Sequence, residues 1–235
     1  MSKLVESKNF HDRVMTGVIL GAVIVLSLMT EEARAFRALF IFMGIMAMIE
    51  FIPIISRKIF YGAIIDDRSF IFELLVIFFG VFSVVFLLEK LEIILVLLAS
   101  VINDTGAYFI GNLLHGKIFK SKPFPRTSPK KSWEGIIGGC SFTVISLLIL
   151  RHFGIEISLT FIIFSPVVAI FGDYLESFVK RALEIKDSSE PILSQHTPIL
   201  TTFELAMSGH GGYADRIDSW TAVACLMALI KIVKN

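Results

Sequence analysis

The chain has 235 residues and a formal net charge of +1, with 55% hydrophobic residues and only 18% charged ones. Its mean hydropathy is +0.77, whereas a soluble domain would carry roughly a quarter charged residues. That balance excludes an ordinary soluble domain, and positive residues that are not pooled against an acidic remainder give no sign of a nucleic-acid partner.

In chain order, the apolar runs are Val14–Thr30, Phe36–Ile55, Phe70–Leu88, Leu91–Ile110, Glu134–Leu150, Ile157–Glu176 and Ile217–Val233. Each holds about 17–20 residues, enough at 1.5 Å per residue to cross roughly 30 Å of hydrocarbon. The stretches are apolar all round, as lipid-facing helices need, and none shows the alternation of a barrel strand. The expected fold class is all-α: a polytopic integral membrane helix bundle with about seven transmembrane helices. The basic N-terminus, MSKLVESKNFHDR, precedes a run without a small-residue cleavage site, so that run reads as a first span and not as a signal peptide. Cys140 and Cys225 both fall in apolar runs and read as buried free thiols. The histidines are scattered, with no zinc-type spacing.

Lys and Arg orient the spans. With the N-terminus inside, Arg57, Lys58 and Arg68 fall in one inside connection, and Lys117, Lys120, Lys122, Arg126, Lys130 and Lys131 in the next. Lys180, Arg181, Lys186 and Arg216 fall in a third, and the outside connections hold fewer cations. Both long polar segments, 111–133 and 177–216, therefore go to the cytoplasmic side. Polar material gathered on one face suits an interfacial enzyme better than a pore with two similar mouths. A transporter would carry its ionisable groups near the midplane, often with internal repeats, and no repeat is visible here.

Three acids in apolar runs draw notice, because an ionisable group in a span is costly without a partner or water. Glu50 lies towards the end of its run, within reach of the cytoplasmic interface. Asp104, in SVINDTGAYFIGN, and Asp173, in IFGDYLESFVKR, lie at similar depth near the inner ends of their helices. Two carboxylates at one depth could share a Mg²⁺, which takes one or two of them plus substrate phosphates; the alternative is two interfacial acids paired with Lys or Arg. Asp173, Ser177 and Lys180 share a helix face by spacing, with Arg181 one turn beyond Ser177. Such a stripe can hold a metal and a polyphosphate, or simply anchor a helix end with snorkelling cations.

The loop GNLLHGK, Gly111 to Lys117, imitates a P-loop but ends in Ile118 and follows no strand, so it is rejected as one. Downstream, Arg126, Ser128, Lys130 and Lys131 sit around prolines that hold the backbone firmly. They suit a lipid-headgroup patch or a phosphate-binding loop equally. Near the end, SGHGGYADRIDSW sets His210, Gly211 and Gly212 before Asp215, Arg216 and Asp218. The glycines allow close backbone approach to a phosphate, the two acids share a helix face, and Arg216 can grip a phosphate in a bidentate manner. The plainer reading is a loop and a helix start favoured by acids.

These blocks together resemble the phosphatidate cytidylyltransferases, or CDP-diacylglycerol synthases. The carriers are SFVKRALEIKD (Ser177 to Asp187), HGGYADRID (His210 to Asp218), NDTGAYFIGNLLHGK and PRTSPKKSWEGIIGG. The resemblance runs from about Val101 to Ala224. It divides the chain into N-terminal membrane helices, 1–100, and a catalytic membrane region, 101–235. It implies CMP transfer from CTP to phosphatidate at a bacterial inner (plasma) membrane, with the active site facing the cytoplasm, and a homodimer as the assembly. One or two divalent ions, Mg²⁺ foremost, are implied, with Asp173, Asp187, Asp215 and Asp218 as ligands and Asp104 in support. Lys180, Arg181, Lys186 and Arg216 become phosphate ligands. Ser177, His210, Gly211 and Gly212 orient the nucleotide, and Arg126, Ser128, Lys130 and Lys131 hold the lipid headgroup or the triphosphate tail. One departure is an extra segment, Leu193–Met207, between the Lys-Asp and His-Gly-Gly elements; loop insertions cost little closure entropy, but this one separates two site elements. The rival readings are a CTP-dependent lipid kinase of the polyprenol or phytol type, a transporter, or an inactive relative.

Overall fold

The computed structural model describes residues 21–61, 67–114, 116–182 and 213–234. The first run is described only from residue 21, and residues 21–28 are helical. Six longer helices follow: α1 (Arg34–Tyr61), α2 (Asp67–Phe82), α3 (Lys90–Leu114), α4 (Trp133–His152), α5 (Leu159–Ala182) and α6 (Ala214–Lys234). Each overlaps one of the remaining apolar runs, and no strand occurs among the described residues. Three of them, α3, α4 and α5, are long and apolar enough to cross a membrane.

Local chemistry sets the boundaries. The third and fourth runs are separated by a π-helical turn, Ser83–Leu87, and by extended backbone at Leu88. Glu89 then stands at the N-cap of α3, and the Glu92 carboxylate accepts the Glu89 N–H at 2.8 Å, half of a capping box. Ser132 caps α4 from extended backbone, its hydroxyl accepting the Gly135 N–H at 3.1 Å. Gly154 leaves α4 at φ +92°, a conformation that side chains with a Cβ resist. α5 tolerates Pro166 in its interior and closes on Lys180 and Arg181, whose charge suits a helix C-terminus. α5 and α6 both run past the apolar runs that predict them, because their polar ends continue the helix.

The chain divides into two compact units. The first is Met1–Ile64 with Ile185–Arg216; the second is Ile65–Glu184 with Ile217–Asn235. In the second unit the most extensive helix pairing is α3 with α4. Small residues make it possible. A Cβ added to Gly139 would meet the Asn103 carbonyl oxygen at 2.6 Å, and one added to Gly138 would meet the Ile110 side chain at 2.5 Å. Gly135 faces the Ala107 carbonyl oxygen in the same way, at 2.9 Å. Close backbone approach of this kind drives helix association where burial of apolar surface offers little. Gly80 and Gly172 perform the same service for α2 and α5 against α6, at Thr221 and Asp218. Cys140 and Cys225 are free thiols, half-buried instead of fully buried.

Candidate functional site

The site in the second unit is built where α3, α4 and α5 bring their polar residues together. The loop joining α3 to α4 folds back on these helix ends through four ties. The buried Glu134 carboxylate accepts the Ile118 and Phe119 N–H groups at 3.1 and 2.9 Å. The Arg181 guanidinium donates to the Thr127 carbonyl at 3.2 Å. Phe124 stacks on Tyr174 with ring centroids 4.5 Å apart. Lys131 donates to Asp173. Prolines 123, 125 and 129 lower the entropy the loop loses on being held.

Asp173 is the hub. It accepts from Lys131 on one oxygen and from the Ser177 hydroxyl, at 3.4 Å, on the other. A cavity of about 110 Å³ opens beside it, lined by Asn103, Asp104, Asn112, Lys131, Ser132 and Asp173 among others. Asp218, buried in the first turns of α6, lies within the electrostatic reach of Asp173, Asp104 and Glu73. Its carboxylate accepts the Ser219 N–H at 2.6 Å. Glu73 is itself buried, and Lys180 acts on it. Acids therefore gather at this end of the unit, with Lys131 and Lys180 as the cations set among them. Among the described residues, no three His, Cys, Asp or Glu side chains come close enough to form a ready-made metal site.

The sequence-predicted residues are placed unevenly. Asp104, Asp173, Ser177 and Lys131 meet at or beside the cavity. Lys180 shares the α5 face but pairs with the buried Glu176 at 2.6 Å, so part of its charge is already answered. Arg126 and Lys130 are exposed, and Ser128 is half-buried on the same loop. Lys186, Asp187, His210, Gly211, Gly212 and the segment Leu193–Met207 lie outside the described residues. GNLLH opens inside α3, whose last turn ends at Leu114, in accord with its rejection as a strand-to-helix phosphate loop.

In the first unit, Asp215 and Arg216 occupy the first turn of α6. The Nε and Nη2 atoms of Arg216 are buried, with no hydrogen-bond partner among the described residues. Burial lowers the affinity of that guanidinium for its proton, and the neighbouring Tyr213, Glu50 and Asp215 charges oppose the effect. Two unanswered N–H directions on a guanidinium suit an anion. Glu50 is not an interfacial acid: it is 2% exposed, and its carboxylate accepts the N–H groups of Tyr213 and Ala214 at 2.7 and 3.0 Å.

Sequence reasoning passed over Glu73, Glu134 and Glu176, three buried acids that also fall in apolar runs, Glu176 in the run of Asp173. The signal was present, since the rule on acids in spans applies to each of them. Asn103, 1% exposed with its side-chain oxygen unpartnered among the described residues, also escaped.

Comparison with known proteins matches residues 65–233 to the cytidylyltransferase family. The chain is 38% identical over 128 residues to the phosphatidate cytidylyltransferase of Haemophilus influenzae, covering 51% of this chain and 38% of that one. It is 32% identical over 169 residues to the Aquifex aeolicus protein of the same name, covering 69% of this chain and 58% of the relative. The Helicobacter pylori (strain ATCC 700392 / 26695) phosphatidate cytidylyltransferase is 35% identical over 150 residues, 60% of this chain and 47% of its own length. The chain thus spans about half the length of the curated relatives it matches.

Proposed function

The chain belongs to the cytidylyltransferase family, and from that premise we propose that it transfers CMP from CTP to phosphatidate. The observation that carries the reading is the Asp173 cluster, where Lys131, Ser177 and Asp104 meet at polar helix ends around a small cavity. A water-soluble nucleotide and a membrane lipid can meet only where polar chemistry is carried at such ends.

In this reaction an oxygen of the lipid phosphate attacks the α-phosphorus of CTP. The bond from that phosphorus to the oxygen bridging towards the β-phosphorus breaks, and its electron pair leaves with pyrophosphate. The products are CDP-diacylglycerol and pyrophosphate, and no protein nucleophile is needed. Catalysis is positioning and charge neutralisation. Lys131, held by Asp173, brings fixed positive charge to the cavity. The edge of Arg216 that has no hydrogen-bond partner among the described residues takes a phosphate oxygen. Arg126 and Lys130, exposed on the tied-down loop with Ser128 between them, collect the lipid headgroup or the triphosphate tail. Ser177, bonded to Asp173, orients the nucleotide, and Lys180 and Arg181 extend the phosphate-binding stripe.

Carboxylate oxygens are the ligands Mg²⁺ prefers, and it is satisfied by one or two of them with substrate phosphates. The surplus of acid around Asp173, Asp104 and Asp218 suits such a cation. Asp173 and Asp218 would hold it, and it would supply charge neutralisation on the phosphates; Asp187 and Asp215 keep the ligand roles that the family blocks imply. The remaining roles, for Lys186, His210, Gly211 and Gly212, follow from the family blocks. The helices form a membrane bundle with this site on the cytoplasmic face of the bacterial inner membrane, and the assembly is a homodimer.

The test uses purified protein in mixed micelles with phosphatidate, Mg²⁺ and CTP labelled at the α-phosphorus. Label entering the lipid only when phosphatidate and divalent metal are present supports the reading. Label entering from the γ-position instead would mark a kinase. Silence from folded protein, repeated with Leu193–Met207 deleted, would overturn the transferase reading.

A further inference from the structure

Glu50 lies well before the family-matched segment, in a helix whose sequence is otherwise generic membrane helix. A buried carboxylate among apolar residues is costly unless it is fully partnered. Here each oxygen accepts a backbone N–H from the same helix start. One accepts the Tyr213 N–H at 2.7 Å and the other the Ala214 N–H at 3.0 Å, across 163 and 164 residues of sequence. These are donors at the start of α6, where N–H groups lack intrahelical partners and the helix dipole favours negative charge. Two turns earlier on α1, Phe42 packs edge-on against the Tyr213 ring, with centroids 6.0 Å apart. Tyr213 and Ala214 are 5% and 0% exposed. The next two residues are Asp215 and Arg216.

We propose that Glu50 is a positioning residue for the transfer reaction: α1 grips Tyr213 and Ala214 through the Glu50 carboxylate and Phe42, and so fixes the helix start that presents Asp215 and Arg216. The geometry has three consequences. The Tyr213 and Ala214 N–H groups are committed to Glu50, so a substrate phosphate does not use them. The Glu50 charge also lies close enough to act on Arg216. Finally, α1 contributes to catalysis although it lies before the family-matched segment. The functional part of the proposal rests on the transferase reading; the grip itself does not.

The test compares Glu50→Gln and Glu50→Leu with the wild-type protein. Gln keeps the shape and one acceptor oxygen, whereas Leu removes both acceptors and suits an apolar surrounding. Three quantities are read: kcat and KM in the micelle assay, amide hydrogen exchange along the chain, and melting temperature. A misplaced reacting group costs up to about 100-fold. We expect kcat to fall about tenfold in Gln and about 100-fold in Leu, with the KM for phosphatidate within about twofold of wild type. Exchange should quicken at 213–216 and stay unchanged across α3.

A wild-type kcat in folded Glu50→Gln and Glu50→Leu would overturn the proposal. So would a kcat loss with unchanged exchange at 213–216, or one with exchange quickened throughout, which marks a merely structural role. If the wild-type protein shows no transfer, the transferase reading fails on its own account. The exchange at 213–216 in the two variants then decides whether the grip exists.

Discussion

The second unit carries charge at both ends of its helices, and the two ends balance it differently. At one end, Lys231 bridges Glu89 at 3.0 Å and Glu92 at 2.8 Å, and Arg151 donates to the Ile157 carbonyl at 3.1 Å. Glu89 is 79% exposed there, Lys231 and Glu92 are 25% and 24% exposed, and both acids have a cation within ion-pair distance. At the other end Glu73, Glu134, Glu176 and Asp218 are buried, and Asp173 is partly so. Acids matched by a cation at a solvent-facing helix end fasten that end and contribute little. Among the described residues the acids at that end outnumber the cations paired with them, and the proposed reaction would balance the excess with a polyanionic substrate and its counter-ion. Charge alone therefore does not mark a site in this molecule; uneven, buried charge does.

Substitutions can break that contrast. The largest effect is expected at Asp215→Asn, in the turn the first unit supplies: α-label transfer should fall by about 100-fold or more, with the protein still folded. Asp173→Asn should come close to it. Lys131→Met should cost transfer about tenfold to 100-fold by removing fixed positive charge from the cavity, and because its partner is only half-buried, stability should drop by about 1 kcal/mol at most. Gly139→Val sharpens the comparison differently, by moving the scaffold under the site. Its side chain would run into the Asn103 backbone, so a loss of about 1–3 kcal/mol is expected in thermal unfolding, with transfer falling alongside. The smallest effect belongs to the opposite end. Lys231→Met should change stability by less than about 1 kcal/mol and leave transfer unchanged within about twofold.

The helices were legible because their segments are apolar all round, a signal that needs no knowledge of neighbours. The break between α2 and α3 showed only as a polar pair, Glu89-Lys90, between two apolar runs. Asp104 and Asp173 were legible for the same reason in reverse, as acids where acids are expensive. What escaped was pairing. Lys131 and Asp173 stand 42 residues apart, and nothing local says that the proline-rich loop folds back to join them. The glycines of WEGIIGG drew notice only as the end of a family block, yet Gly135, Gly138 and Gly139 serve the contact with α3. Glu50 was misjudged because its depth in the sequence run said interface, whereas its partners are backbone amides supplied from the far end of the chain.

The most direct measurement is the initial rate of α-label transfer from CTP to phosphatidate in Asp173→Asn, set beside Lys231→Met, with both proteins shown to be folded. A fall of about 100-fold in the first and wild-type transfer in the second is the predicted result. Equal rates in the two would contradict the assignment of the reaction to the Asp173 end.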